Sequence, residues 1–158
     1  MLEIERKFLV NSDAYRAEAY DEIEIIQGFL NTDPDRTVRV RLTGSKGFIT
    51  VKGRTDADGT TRFEWEREIT PEEARNLLSI CEKGVIRKIR YLVRSGNHLV
   101  EVDEFYDENQ GLVIAEIELQ KVDEHYDKPE WLGIEVTGDP KYYNSQLSKY
   151  PYVTWKKQ

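Results

Sequence analysis

Hydrophobic and polar residues alternate along most of this chain with a period of two. Near the N-terminus Leu2, Ile4 and Phe8 fall on one parity, and Glu3, Glu5 and Lys7 on the other. Successive side chains of a β-strand point to opposite faces, so such a run predicts a strand with one apolar and one charged face. Eight segments are predicted as strands: roughly 2–9, 24–30, 36–43, 46–53, 60–69, 85–94, 98–106 and 112–121. Turn-forming sequences separate several of them. They are Asn31-Thr-Asp-Pro-Asp35, Gly44-Ser-Lys-Gly47, Asp56-Ala-Asp-Gly59, Ser95-Gly-Asn97 and Asp107-Glu-Asn-Gln-Gly111. Connections this short leave no room for a crossover helix, so the strands they join are antiparallel.

Three segments break the alternation and read as helices. The first covers roughly 12–20, with Ser12 or Asn11 as its cap. The second opens on Thr70-Pro71-Glu72-Glu73. Thr70 suits the N-cap, Pro71 the first helical position, and Glu73 completes a capping box. Ala74, Leu77, Leu78 and Cys81 then share one helical face. The third follows Asp139-Pro140 and runs to about Lys149, while Pro129-Glu-Trp-Leu-Gly133 reads as a turn or helical loop. With no linker, repeat or low-complexity stretch, residues 1–158 are expected to form one domain.

The charged parity is almost wholly ionic. It carries Glu3, Glu5 and Lys7; Arg39 and Arg41; Thr50 and Lys52; Arg62, Glu64 and Glu66; Lys88 and Arg90; Glu101 and Asp103; and Glu116 and Glu118. A half-buried sheet ordinarily mixes uncharged polar residues into its wet face. Here like charges cluster within strands instead. Such clusters cost stability unless opposite charge lies between them, which a bound cation and a bound polyanion would supply. Eight strands also leave two edges, and closure into a barrel removes them. The alternation alone is compatible with a wet outer face or a wet lumen. If the ionic face is inside, three helices cover the apolar outer face only in part, and a homodimer is expected to bury some of the remainder.

Composition narrows the chemistry. The chain has 158 residues, 34% of them charged, and a net charge of −7, which argues against general binding of nucleic acid or of acidic membranes. No run is apolar and long enough to span a membrane, and Met1 leads straight into a charged strand, so no signal peptide is expected. Cys81 is a single cysteine, which excludes an internal disulfide and fits a reducing cytoplasm. With only His98 and His125 besides, any metal would sit on oxygen, as Mg²⁺, Mn²⁺ or Ca²⁺ do.

The ordered set of motifs carries a resemblance. Glu3-Ile-Glu-Arg-Lys7, Gln27-Gly-Phe-Leu30, Val38-Arg-Val-Arg41, Thr50-Val-Lys52, the Glu64/Glu66 pair, Lys88/Arg90 and Glu116-Ile-Glu118 follow one another in that order. Each is common alone. Together they resemble the CYTH superfamily, the triphosphate tunnel metalloenzymes. The tail, with Trp131-Leu-Gly133, Glu135-Val-Thr137 and Tyr142-Tyr-Asn-Ser145, is similar to the family's bacterial branch of inorganic triphosphatases.

The resemblance implies a mainly β fold of the α+β class: an eight-stranded antiparallel closed barrel with a charged lumen that binds a small-molecule triphosphate with Mg²⁺ or Mn²⁺. It puts Lys7, Arg39, Arg41, Lys52, Lys88 and Arg90 on the phosphates. It puts Glu3, Glu5, Glu116 and Glu118 on the metal, with strands one and eight adjacent where the barrel closes. Glu5, Glu64, Glu66 and Asp103 become candidates for activating water, although Glu64, Glu66, Asp103 and Glu101 are equally placed to act as counterions. The implied reaction is hydrolysis of inorganic triphosphate to diphosphate and phosphate. ATP cyclisation of the class IV adenylate cyclase type, thiamine or nucleoside triphosphate hydrolysis, and a non-catalytic polyphosphate-binding module are the alternatives. Phe29 stands where many relatives carry Tyr, so no phenol role carries over. Tyr142 and Tyr143 are expected to pack, with a hydroxyl near a tunnel mouth as the alternative, and Trp65, Trp131 and Trp155 are expected to pack.

Overall fold

In the computed structural model, which describes residues 2–155, there are nine strands, eight of them on the predicted alternation. They are β1 (Leu2–Val10), β2 (Asp21–Asn31), β3 (Thr37–Thr43), β4 (Lys46–Lys52), β5 (Thr61–Ile69), β6 (Ile86–Ser95), β7 (His98–Phe105), β8 (Val113–Leu119) and β9 (Leu132–Glu135). The order is β5-β4-β3-β2-β6-β7-β8-β1-β9, and β1 also pairs with β5. All pairings are antiparallel. The β1–β5 pairing, with Glu3 opposite Arg62, closes the first eight strands into a barrel.

The ninth strand differs from the turn expected around residues 129–133. β5 pairs only with the start of β1, at Leu2, Glu3 and Ile4. The far half of β1 is therefore left with an open edge, and β9 takes it at Phe8 and Val10. The Lys7 carbonyl accepts from the Val136 N–H at 2.8 Å just beyond the paired residues.

The helices are shorter than the sequence suggests. α1 spans only Tyr15–Glu18. Ahead of it the Ser12 hydroxyl accepts from the Ala14 N–H, and the Asp13 carbonyl from the Arg16 N–H, so local bonds replace a longer helix. α2 spans Pro71–Leu78 and has the predicted capping box: Thr70 Oγ1 accepts from the Glu73 N–H at 3.0 Å, and Glu73 Oε1 from the Thr70 N–H at 2.9 Å. α2 lies across β2, β3 and β4. Gly47 and Gly28 allow that approach, since a Cβ on Gly47 would come 2.7 Å from the Ala74 Cβ and one on Gly28 3.0 Å from Cys81. The predicted helix over 139–149 is broken. A single 3₁₀ turn at Pro140–Tyr142 gives way to extended backbone at Tyr143, and α3 (Asn144–Leu147) follows.

Two apolar clusters result. The outer one joins Phe8, Val93, Val100, Val102, Ala115, Ile117 and Leu119, roofed by Tyr15 of α1 and by Trp131. The Trp131 indole N–H donates to Glu18 at 2.9 Å. Leu2, Phe63 and Ile134 stay exposed. The second cluster lies inside. Phe29, Ile86, Phe105, Leu112 and Ile114 meet Leu147, with Tyr142, Tyr152 and Trp155 packed against them. The inner face is thus ionic only along part of the barrel, and residues 140–155 close the apolar end. Among the described residues no helix is long and apolar enough to cross a membrane.

Candidate functional site

The ionic part of the lumen is a cavity of about 200 Å³. Glu3, Glu5 and Lys7 of β1, Arg39 and Arg41 of β3, Lys52 of β4, Glu64 and Glu66 of β5, Lys88 and Arg90 of β6, and Glu116 and Glu118 of β8 all line it. Alternation turns each inward, and register decides which ones meet. Glu5 is opposite Glu118 and Lys7 opposite Glu116 across β1–β8, so the two acid pairs stand side by side as expected. Asp103 is the one sequence-predicted site residue outside the cavity wall. It lies beneath, 2% exposed, with its two oxygens on Arg90 Nε at 2.8 Å and Arg90 Nη2 at 3.0 Å, and with Lys88 Nζ at 2.8 Å.

The cations divide into saturated and available groups. Arg90 spends all three nitrogens on Asp103 and on Glu101, which sits 3.0 Å from Nη1. Burial would lower its pKa, but Asp103 and Glu101 outweigh it and hold the charge firmly. Lys52 is held between Glu3 at 3.0 Å and Glu64 at 3.2 Å. Arg39 and Arg41 are different. Arg39 reaches Thr50 at 3.2 Å and Arg41 reaches Glu66 at 3.4 Å, yet the buried Nε of each has no partner. Burial, with Arg39 and Arg90 adding to it, lowers the Arg41 pKa. Two adjacent, largely covered guanidiniums with unspent Nε donors have the chemistry to take an anion. Lys7 has only a 3.5 Å contact to the Tyr142 carbonyl and the face of Tyr143, 5.2 Å from its centroid.

The acids show the complementary imbalance. Burial, then Glu116 and Glu3, push the Glu5 carboxyl well above the usual carboxylate range. Its neighbour Glu116 goes the other way: burial would raise it, but Lys7, the hydrogen bond from Glu5 and Arg90 hold it ionised. Glu64 and Glu3 repeat the pattern. Burial and the hydrogen bond to Glu3 raise Glu64 to about 7. For Glu3, burial is outweighed by Lys52, Glu64 and Arg62, and its pKa drops. Burial also raises Glu101 and Glu118. Two carboxyl pairs, each with one pKa raised and the other held down, have more acid than the local cations neutralise. Glu3, Glu5, Glu116 and Glu118 offer only oxygen, so this wall fits a hard divalent cation, which would take the place of protons on the raised carboxyls. The described residues gather no ready-made cage of three or more acids, so such an ion would complete its shell with phosphate and water.

Deeper in, burial lowers Lys88 to about 8, partly offset by Asp103. Its ammonium also donates to Asn144 Oδ1 at 3.0 Å, which accepts from Gln27 Nε2 at 3.0 Å as well. Asn144, Tyr143 and Ser145 line the cavity, as do Arg62 and Thr37. Sequence reasoning missed the three C-terminal residues as site residues. They lie on no strand and carry no alternation, and only the break in the helix at Tyr143 turns them inward. Of the aromatics expected to pack, Tyr142 and Trp155 do so in the closed end, 5.4 Å apart, and Trp131 in the outer cluster. Trp65 lies against Arg67, 4.8 Å from its ring centroid. Tyr143 departs from that expectation: it lines the lumen.

Comparison with known proteins gives this barrel a family. The CYTH domain model matches residues 1–151. The chain belongs to the CYTH domain family. An inorganic triphosphatase of Acetivibrio thermocellus is 48% identical over 155 residues, covering 98% of this chain and 97% of that protein. An inorganic triphosphatase of Nitrosomonas europaea is 32% identical over 152 residues, covering 94% and 97%. The crystal structure of an inorganic triphosphatase superposes on this CYTH domain with a TM-score of 0.65 at 30% identity, covering 92% of this chain and 93% of that one.

Proposed function

We propose that this CYTH protein is a metal-dependent hydrolase that cleaves inorganic triphosphate to diphosphate and orthophosphate, with Mg²⁺ or Mn²⁺ as the metal. The observation that carries this reading is the buried Nε of Arg39 and of Arg41, unpartnered in a cavity whose other wall is the Glu5/Glu118 register pair. The triphosphatases that this chain resembles support the choice of substrate. Inorganic triphosphate is a short chain with several negative charges and no organic group. Arg39 and Arg41 grip its oxygens as paired donors, while Lys7 and Lys52 add point charges from β1 and β4. Lys88 and Arg90, fixed by Asp103, set the potential deeper in the lumen, so Asp103 acts as a positioning residue.

A divalent cation on Glu3, Glu5, Glu116 and Glu118 would neutralise phosphate charge and acidify bound water. The chain's own contribution is in-line geometry and a proton acceptor. Water forms a bond to a terminal phosphorus, the bridging P–O bond breaks, and the bridging oxygen leaves on diphosphate. Glu64, with its pKa near neutrality, accepts the proton of the water, and Glu66 holds Arg41 in place. The test is phosphate release from inorganic triphosphate, ATP and thiamine triphosphate with Mg²⁺, with Mn²⁺ and with chelator, using Glu5→Gln as the control. Metal-dependent release from inorganic triphosphate that Glu5→Gln abolishes is the expected result. Cyclic AMP from ATP without phosphate release would replace hydrolysis with cyclisation.

A further inference from the structure

The end of the barrel that residues 140–155 close is not closed all round. The seal lies over Phe29, Ile86, Phe105, Leu112 and Ile114, which belong to the β2, β6, β7 and β8 side. On the β3, β4 and β5 side of the same end lies a separate cavity of about 440 Å³, bounded by the turns after β2 and β4 and by the chain around 137–146. It shares Thr37, Arg62, Tyr143 and Ser145 with the lumen. At the opposite end Glu118, which also lines the lumen, is exposed.

Two walls of this second cavity meet at a pair of glycines. Gly59 and Gly138 both have positive φ, at +76° and +80°, and a Cβ on Gly59 would come 2.4 Å from the Gly138 Cα. There the turn after β4 lies directly against the segment that carries Tyr143. A row of cations leads outward. Lys7 lines the lumen, Arg62 lines both cavities, and Arg54 lines the outer one with its side chain 67% exposed. Lys7 and Arg62 both rest on the Tyr143 ring, 5.2 and 5.9 Å from its centroid. Two acids line this cavity: Asp56, turned onto the Thr60 and Thr61 N–H groups, and Asp58, which is exposed; beside it Asp35 pairs with Arg54, and on the lumen side Glu3 faces Arg62 at 3.5 Å.

We propose that this cavity is a second mouth of the active site, that it conducts orthophosphate, and that Tyr143 with Arg62 forms its threshold. The identity of the anion rests on the triphosphatase reading. Hydrolysis makes two like-charged products in one narrow lumen, and a second mouth lets one leave without passing the other.

The test is the rate at which inorganic orthophosphate dissociates from the Mg²⁺-loaded protein, read by ³¹P magnetisation exchange. Ala57→Trp and Gln146→Trp narrow the cavity from opposite walls, and neither residue lines the lumen. Each is expected to slow dissociation about tenfold while leaving the dissociation constant within about twofold, as an obstructed route slows entry and exit alike. Steady-state turnover of inorganic triphosphate falls with it, and the single-turnover rate holds, as for an enzyme limited by product release. Unchanged exchange in either variant that retains its thermal unfolding transition would overturn the proposal. So would an equal fall in turnover and single-turnover rate, or no binding of orthophosphate at all. Because the exchange measurement needs no turnover, absence of triphosphate hydrolysis would refute the reaction and still leave the second mouth to be judged.

Discussion

The two halves of the lumen share one strand parity and have opposite chemistry. Along β6 the inward positions run Ile86, Lys88, Arg90, and along β7 in the reverse direction Phe105, Asp103, Glu101. β8 gives Ile114, Glu116 and Glu118. Each strand passes from apolar to ionic in the same direction along the barrel. The apolar half has a protein partner, since Leu147 and its neighbours fill it. The ionic half is lined by Tyr143, Asn144 and Ser145 but not filled, and it holds spare guanidinium donors beside carboxyls whose pKa values are raised. The first half is organised for stability. The second carries unbalanced charge that a ligand and a metal would neutralise.

If this division is right, the two halves respond oppositely to truncation. Arg41→Ala in the ionic half is expected to lower turnover of inorganic triphosphate by about 10²–10³-fold, the loss typical of a preorganised charge on a developing anion. Its melting temperature should hold or rise, because a buried charge beside Arg39 and Arg90 is removed. A fall in stability that matches the fall in activity would break the comparison. Leu147→Ala in the apolar half is expected to cost about 2–5 kcal/mol of stability, as for other buried Leu truncations. Leu147 is 1% exposed, so little relaxation is available to it. Denaturant unfolding gives the loss, and turnover per folded molecule should stay close to that of the parent.

The ionic half was the more legible in the sequence, for a physical reason. Strand alternation is local, so Glu3, Glu5, Arg39, Arg41, Lys52, Glu116 and Glu118 could be assigned to one face without knowing the pairing, and all line the cavity. The closed end was not legible. Ile86, Phe105 and Ile114 have the parity of the charged positions, and only contact with a segment far along the chain makes them core. The same holds for Asn144, which reaches Lys88 and Gln27 from outside the sheet. β9 was missed because its four residues pair with an edge that exists only once β5 has covered the start of β1. The capping box at Thr70 was fully readable, because every atom in it lies within four residues.

Removing metal should reveal the charge imbalance as a dependence of stability on pH. Glu64 has its folded pKa raised from 4.5 to about 7, and Glu5 is raised in the same direction. The folded protein therefore holds protons that the unfolded chain releases. The stability they contribute is complete below the ordinary carboxyl pKa and is lost as pH rises through the folded value. Glu3, Glu116 and Asp103, all lowered, contribute on the other side and lose their share as pH falls. Chelator-treated protein should thus soften from about pH 5 to pH 8, while the Mg²⁺-loaded form, whose Glu3, Glu5, Glu116 and Glu118 are held ionised, should soften less. The gap in melting temperature between the two forms is the measurement. A gap that narrows with rising pH would mean that these acids do not hold the metal.

Phe29 marks the border between the halves, so it provides the finest test. It is 4% exposed, packs with Ile86 and Leu147 in the apolar cluster, and also lines the ionic cavity. Its register partner is Arg39. Phe29→Tyr adds one hydroxyl at that border. If the ring edge meets the wet half, the hydroxyl finds water or phosphate, and the expected change in stability is under about 1 kcal/mol, with turnover within about threefold of the parent. If the border is dry, the unpaired hydroxyl costs about 1–3 kcal/mol instead. Chemical denaturation distinguishes the two outcomes. The larger cost would place the limit of the wet lumen on the Arg39 side of residue 29, and the smaller one would carry it past Phe29 toward Lys88.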